Sequence, residues 1–217
     1  MLEPLMDNLG SKCIVLASGS PRRSEILRQI GLRFIVLPSK FEENLDKSRF
    51  GHPKDYVLEN AKLKALEVVE RMAQEKHKEK PDIVIGADTV VVHENKILEK
   101  PKSKDDAFAM LRRLSGCEHK VYSGVALVQP STQTKDNSIL PDPKITQFYE
   151  ETLVTFGDLS EDVIKGYIET GEPMDKAGSY GIQGKGGSLV TGIHGDYFNV
   201  MGFPLYHFCK QIKKLYE

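Results

Sequence analysis

Paired cysteines are missing from this chain. Cys13, Cys117 and Cys209 are its only cysteines and lie far apart with no C-x-x-C spacing, which excludes a disulfide framework and a zinc knuckle. A reducing compartment, and so a cytoplasmic location, is the expectation. An excess of one charge is missing too: 30 basic residues against 31 acidic ones leave a formal net charge of -1. That balance argues against a long nucleic-acid groove driven by counterion release, so any bound polyanion is expected to be small. No stretch of about 18 apolar residues is available to span a bilayer. The opening MLEPLMDNLGSK carries Glu3, Pro4 and Asp7 and lacks a basic start before an apolar run, so 1–11 reads as a leader and not a signal peptide.

What remains is 217 residues with 40% hydrophobic content, enough for one substantial domain over 12–217. CIVL (Cys13–Leu16) reads as a buried strand. Ser20 as N-cap, Pro21 at the first helical position and Gly31 after the last turn then frame a helix, and LRFIVL (Leu32–Leu37) resumes a strand. A polar loop, Pro38–Asp55, precedes a long amphipathic helix from Tyr56 to about Lys76, with Leu58, Ala61, Ala65, Val69 and Met72 as its stripe and Lys64 at the border. Asp82–Pro101 reads as β-rich runs around a turn at Glu94–Lys96. Ser103 caps a helix to about Leu114, Lys120–Gln129 is a strand, and Pro130–Lys144 reads as a flexible surface insertion. Ile145–Phe156 alternates as a strand, Ser160–Thr170 is a short helix ended by Gly171, and Pro204 opens a helix with Leu205, Phe208, Cys209, Ile212 and Leu215 on one face. Strands and helices alternate first and strands cluster later, which predicts an α/β class with a mixed sheet.

Several residues stand out chemically. Arg22 and Arg23 sit in the first turn of a helix, where cations are disfavoured, so either a surface acid such as Glu25 or a bound phosphate answers them. Asp88 lies inside the most apolar stretch, with Gly86 permitting a bend; it is either a structural acid bonded to backbone N–H groups or a general base or metal ligand. Glu42 and Glu43 of FEEN would, with Asp88 in range, make a hard oxygen site suited to magnesium, and Lys64 and Lys100 would neutralise the same phosphates. The run GSYGIQGKGGS fails the P-loop pattern, since Lys185 is followed by Gly186 and Ser179 stands where a glycine is required. Its Gln183 offers an amide that both donates and accepts. Asp175 and Lys176 pair with each other or order this loop. His194 reads as structural, and no nucleophile constellation is supported at Ser18 or Ser20.

The motifs LASGSPRR, AKLKA, IGADTVV, LEKP, EPMDKAGSYGIQG and GDYFNVMGFPL, in that order from about Lys12 to Tyr216, resemble the Maf family of nucleoside triphosphate pyrophosphatases. The chain is also similar to the Maf-like domain that some animal proteins carry fused to a methyltransferase-like domain. The resemblance implies a Maf/ITPase-like α/β domain, with a central mixed β-sheet flanked by helices and two lobes around a deep cleft, usually as a homodimer. It implies hydrolysis between the α and β phosphates of a nucleotide, with Mg2+ or Mn2+. Carried over by position, Asp88 matches the family's proton acceptor and Glu43 an acid associated with metal and phosphates, so Glu43 and Asp88 are the implied metal ligands. Arg23, Lys64 and Lys100 match basic residues near the phosphates, and Ser18 joins the substrate-binding set. Arg22, Thr89 and Gln183 match the branch acting on dTTP and UTP. Which of Glu42 and Glu43 faces the metal is open at this level. The implied partner is a nucleoside triphosphate, with no nucleic-acid polymer and no membrane. A nucleotide-binding regulator of cell division without significant turnover is the competing class, against which the presence of Asp88, Glu43 and both lysines argues.

Overall fold

Runs of β-branched and apolar residues build the sheet. The structure, a computed structural model, describes residues 1–75, 80–131 and 143–216. The expected insertion at Pro130–Lys144 and the Lys76 end of the long helix fall largely or wholly outside them. β1 (Ile14–Leu16) is buried throughout, as a strand flanked on both sides must be. β2 (Ile35–Val36) pairs with it in parallel and is exposed, so the strand expected over Leu32–Leu37 shrinks to two residues. β3 (Ile83–His93) runs parallel to β1 and carries the most apolar sequence of the chain. β4 (Lys96–Leu98) returns antiparallel to β3 through Glu94 and Asn95, whose φ values of 49° and 60° are the pair of left-handed residues a two-residue hairpin turn needs. β5 (Glu118–Gln129), β6 (Lys144–Phe156) and β7 (Val190–His194) complete a seven-stranded mixed sheet ordered β2-β1-β3-β5-β6-β7, with β4 beside β3.

The helices follow their caps. α2 (Pro21–Gln29) starts after Ser20, which has the extended backbone of an N-cap but makes no side-chain cap bond. α3 (Pro53–Gln74) begins one turn earlier than its periodicity suggested, because His52 accepts from the Lys54 N–H and Pro53 fits the first position. α4 (Lys104–Leu114) is capped by Ser103, which accepts from Asp106 N, and α5 (Glu161–Glu169) by Ser160, which accepts from Val163 N. Short α6 (Tyr197–Met201), capped by Asp196, and α7 (Leu205–Tyr216) end the chain. The segment read as a leader forms a 3-10 turn at Glu3–Leu5 and α1 (Met6–Gly10), with Leu2 and Leu9 only 1% and 2% exposed.

The chain divides into two compact units, one of Met1–Asp88, Gly124–Tyr149 and Leu205–Glu217 and one of Thr89–Ser123 and Glu150–Pro204. In the first, Val15, Ala17, Val84 and Val128 pack on Ala65, Val68 and Met72 of α3. Gly86 of β3 lies directly under α3 there. A Cβ at that position would collide with the Ala61 carbonyl, so the glycine lets α3 lie against the strand, as does Gly124 against Val57, where a Cβ would fall 2.7 Å from the backbone. In the second unit, Leu111, Leu114, Phe156, Ile164, Tyr180 and Leu189 are the centre of a separate core.

Candidate functional site

Lys64 ought to be on the surface by residue type, yet it is 7% exposed. The buried face of α3 is Val57, Ala61, Lys64, Ala65, Val68 and Met72, rotated from the predicted stripe, so Lys64 stands within the face and not at its border. Burial of an ammonium is tolerable because two carboxylates meet it: Nζ lies 2.8 Å from Asp88 Oδ1 and 2.8 Å from Glu43 Oε2. Asp88, 6% exposed on β3, therefore has a charged partner. Burial pushes its pKa up, Lys64 pulls it down, Glu43 pushes it up again and Arg23 pulls it down, with a raised value as the result.

Glu43 reaches this cluster because its loop is tied to α3. Glu67 Oε2 accepts from Ser39 Oγ and from Lys40 N, both at 2.9 Å, and Arg71 Nη2 donates to the Pro38 carbonyl at 2.8 Å. Glu67 and Arg71 are themselves an i,i+4 ion pair at 2.7 Å. The i,i+4 spacing of that pair is legible in the sequence, which carries no sign of its loop partners. Glu42 contacts Asn44 instead, so Glu43 is the acid that faces Lys64.

At the start of α2, Ser18 Oγ accepts from Ser20 N at 3.3 Å and from Arg23 Nη1 at 3.0 Å. Burial lowers the Arg23 pKa, while the charges of Asp88 and Glu43 raise it and Arg22 lowers it. Arg23 thus senses the same acids as Lys64. Ser18, Arg22, Arg23, Glu43, Lys64 and Asp88 all belong to the first unit.

Thr89, Lys100 and Gln183 belong to the second unit. The Thr89 hydroxyl is 2.8 Å from Ser123 Oγ and donates to the Gly202 carbonyl at 3.3 Å. Ser123 in turn donates to the Asn199 carbonyl, and the buried Asn199 amide donates to Val121 O and Thr152 Oγ1. Lys100 is exposed beside Glu99, whose carbonyl accepts from Gly178 N at 3.1 Å, so the loop after β4 and the glycine-rich run are joined. Gln183 is exposed. Lys176 pairs with Asp175 at 2.6 Å, the first of the two alternatives for that dipeptide, and also donates to the Glu172 carbonyl. The Glu172 carboxylate, which no local pattern singles out, binds the backbone of the same loop at Lys185 and Gly186.

Among the described residues no group of three or more His, Cys, Asp or Glu side chains forms a closed metal site. Glu43 and Asp88 both present hard oxygens around Lys64 Nζ, a donor set that suits a cation completing its shell from phosphates and water. The arrangement brings together a basic carboxylate, a second acid, an ammonium and a guanidinium, the parts needed to hold a phosphate chain and take a proton beside it.

A family model described as Maf-like protein matches residues 13–215. Over 216 residues the chain is 56% identical to a human protein named probable bifunctional dTTP/UTP pyrophosphatase/methyltransferase protein, covering 100% of this chain and 34% of that one. It thus spans about a third of the human relative's length. It is 47% identical over 192 residues to a Clostridium perfringens dTTP/UTP pyrophosphatase, covering 88% of this chain and 91% of that one. A Bacillus anthracis protein of the same name is 42% identical over 201 residues, covering 93% and 94%.

Proposed function

The chain belongs to the Maf-like family, and from that premise we propose that it hydrolyses dTTP, UTP and related or modified pyrimidine nucleoside triphosphates to the monophosphate and pyrophosphate. The observation that carries this reading is the buried Lys64–Asp88 pair, met from its exposed side by Glu43, with the charge of Arg23 acting on the same acids. In this proposal Asp88 accepts the proton of the water that attacks the α-phosphorus. Its burial makes it a stronger base than an exposed aspartate, and Lys64 keeps the ionised form accessible. Arg22, Arg23, Lys64 and Lys100 balance charge on the phosphoryl oxygens and the leaving pyrophosphate, a task of position and electrostatics. Ser18 holds the Arg23 guanidinium in place. Gln183 reads the pyrimidine edge through its amide, and Thr89 supports that selectivity. Glu43 and Asp88 are the residues that would hold Mg2+ or Mn2+. When bound, the cation neutralises the triphosphate and polarises its oxygens.

The proposal extends to a cytoplasmic homodimer that removes unwanted pyrimidine nucleotides, with neither a membrane nor a nucleic-acid polymer as partner. No described helix is long and apolar enough to cross a membrane. The deciding experiment is pyrophosphate release from a panel of canonical and modified triphosphates with magnesium, manganese or EDTA. Cation-dependent release from dTTP and UTP is the expected result. No release from any nucleotide, with binding retained, would replace this reading with that of a nucleotide-binding regulator.

A further inference from the structure

Resting on the pyrophosphatase reading, we propose that Glu172 and Tyr167 form a latch that sets the loop carrying Gln183, which makes Glu172 a positioning residue for nucleotide selectivity. Both carboxylate oxygens of Glu172 are engaged. Oε1 accepts from the Tyr167 hydroxyl at 2.9 Å and from Gly186 N at 3.0 Å, and Oε2 accepts from Lys185 N at 2.9 Å. The Tyr167 oxygen also accepts from Gly181 N at 3.0 Å. The loop is therefore held on both sides of Gln183, at Gly181 before it and at Lys185 and Gly186 after it, while the Gln183 side chain is exposed.

The glycines follow from the same contacts. A Cβ on Gly184 would collide with the Glu172 carboxylate and one on Gly186 with the Tyr167 hydroxyl. The run that resembles a phosphate loop thus closes around an anion of the protein's own, and its Lys185 and Gly186 N–H donors are spent on Glu172. Burial pushes the Glu172 pKa up, but the N–H groups of Gly186 and Lys185, the Tyr167 hydroxyl and the charge of Lys176 outweigh it and hold the carboxyl below its usual value. An ionised acceptor makes stronger bonds than a neutral one, so the latch is rigid where base recognition needs rigidity.

The test compares steady-state kinetics on dTTP, UTP and dATP for the wild type, Glu172→Gln, Tyr167→Phe, Gln183→Ala and the Glu172→Gln/Gln183→Ala double variant. Glu172→Gln is expected to raise KM for dTTP and UTP about tenfold with kcat within about twofold, because a charged bond acting on binding alone is lost. Tyr167→Phe should move KM the same way by less, and it carries the test if Glu172→Gln does not fold. The double variant should be no worse than Gln183→Ala, since both act through one side chain. KM unmoved in both latch variants, a fall confined to kcat, or fully additive losses in the double variant would each overturn the latch. A wild type inactive on every nucleotide would overturn the pyrophosphatase reading instead. Amide hydrogen exchange at Gly181, Lys185 and Gly186 then still decides the latch, with faster exchange in Glu172→Gln supporting it and unchanged exchange overturning it.

Discussion

Asp88 and Lys64 are each costly alone and tolerable together. Removing one charge of a buried pair leaves the other uncompensated, so Asp88→Asn is expected to fold because Glu43 still contacts Lys64. Pyrophosphate release by that variant should fall by about 10^2 to 10^4, the range of a lost general base, with nucleotide affinity within a few-fold in a binding titration. Because the Asp88 pKa is raised, the carboxylate becomes available later as pH climbs. The acid limb of kcat/KM should therefore lie above the pH at which an ordinary aspartate titrates, and a limb at the ordinary position would remove Asp88 from the proton-accepting role. His119, 2% exposed and 2.8 Å from the Tyr180 hydroxyl, gives a second residue-scale prediction. Burial first, and the neighbouring His93 second, push its pKa down from 6.5 to about 4. The unfolded chain binds the extra proton in that window, so stability present above pH 6.5 is lost as pH falls toward 4, by up to about 3 kcal/mol. Urea unfolding of wild type and His119→Gln at several pH values should show this slope only in the wild type.

At the scale of elements, the candidate site depends on how closely α3 lies on β3. Lys64 and Asp88 meet because Gly86 and Gly124 admit the helix backbone, with Ala61 and Ala65 on the helix side. Gly86→Ala should cost about 1–3 kcal/mol by overpacking and also reduce turnover, since the helix must move away from the strand that holds Asp88. Thermal unfolding and pyrophosphate release measured on one preparation check both. Loss of stability with full turnover would show that the Lys64–Asp88 spacing is not what the glycine protects. The Glu67–Arg71 pair works similarly for the loop before Glu43: a helix surface pair that would otherwise contribute little fixes the path of three backbone residues.

Over the whole molecule, charge is almost balanced, with a formal net of -1, so no general positive field draws in a triphosphate. Lys64 is already answered by two acids, and the local cluster has little positive charge to spare. On the proposed function, a substrate with several negative charges calls for an added cation. EDTA should bring pyrophosphate release to the buffer background and excess magnesium or manganese should restore it; release unaffected by EDTA would remove Glu43 and Asp88 as cation ligands.

The sequence by itself determined the α/β class, the caps at Ser103 and Ser160, the turn at Glu94–Asn95 and the identities of Asp88, Lys64, Glu43 and Arg23 as candidates. Those features are written in local periodicity, capping chemistry and the cost of a charge in an apolar run. It set Lys64 at the border of the helical stripe, gave no packing reason for Gly86, and left the choice between Glu42 and Glu43 open. Only the tertiary structure decided these, because each depends on a partner distant in sequence: Asp88 draws Lys64 into the buried face, Ala61 needs the space above Gly86, and Lys64 meets Glu43. The burial of Leu2 and Leu9 and the Glu172 latch were hidden for the same reason, since a side chain's partner across the fold leaves no mark on its neighbours along the chain.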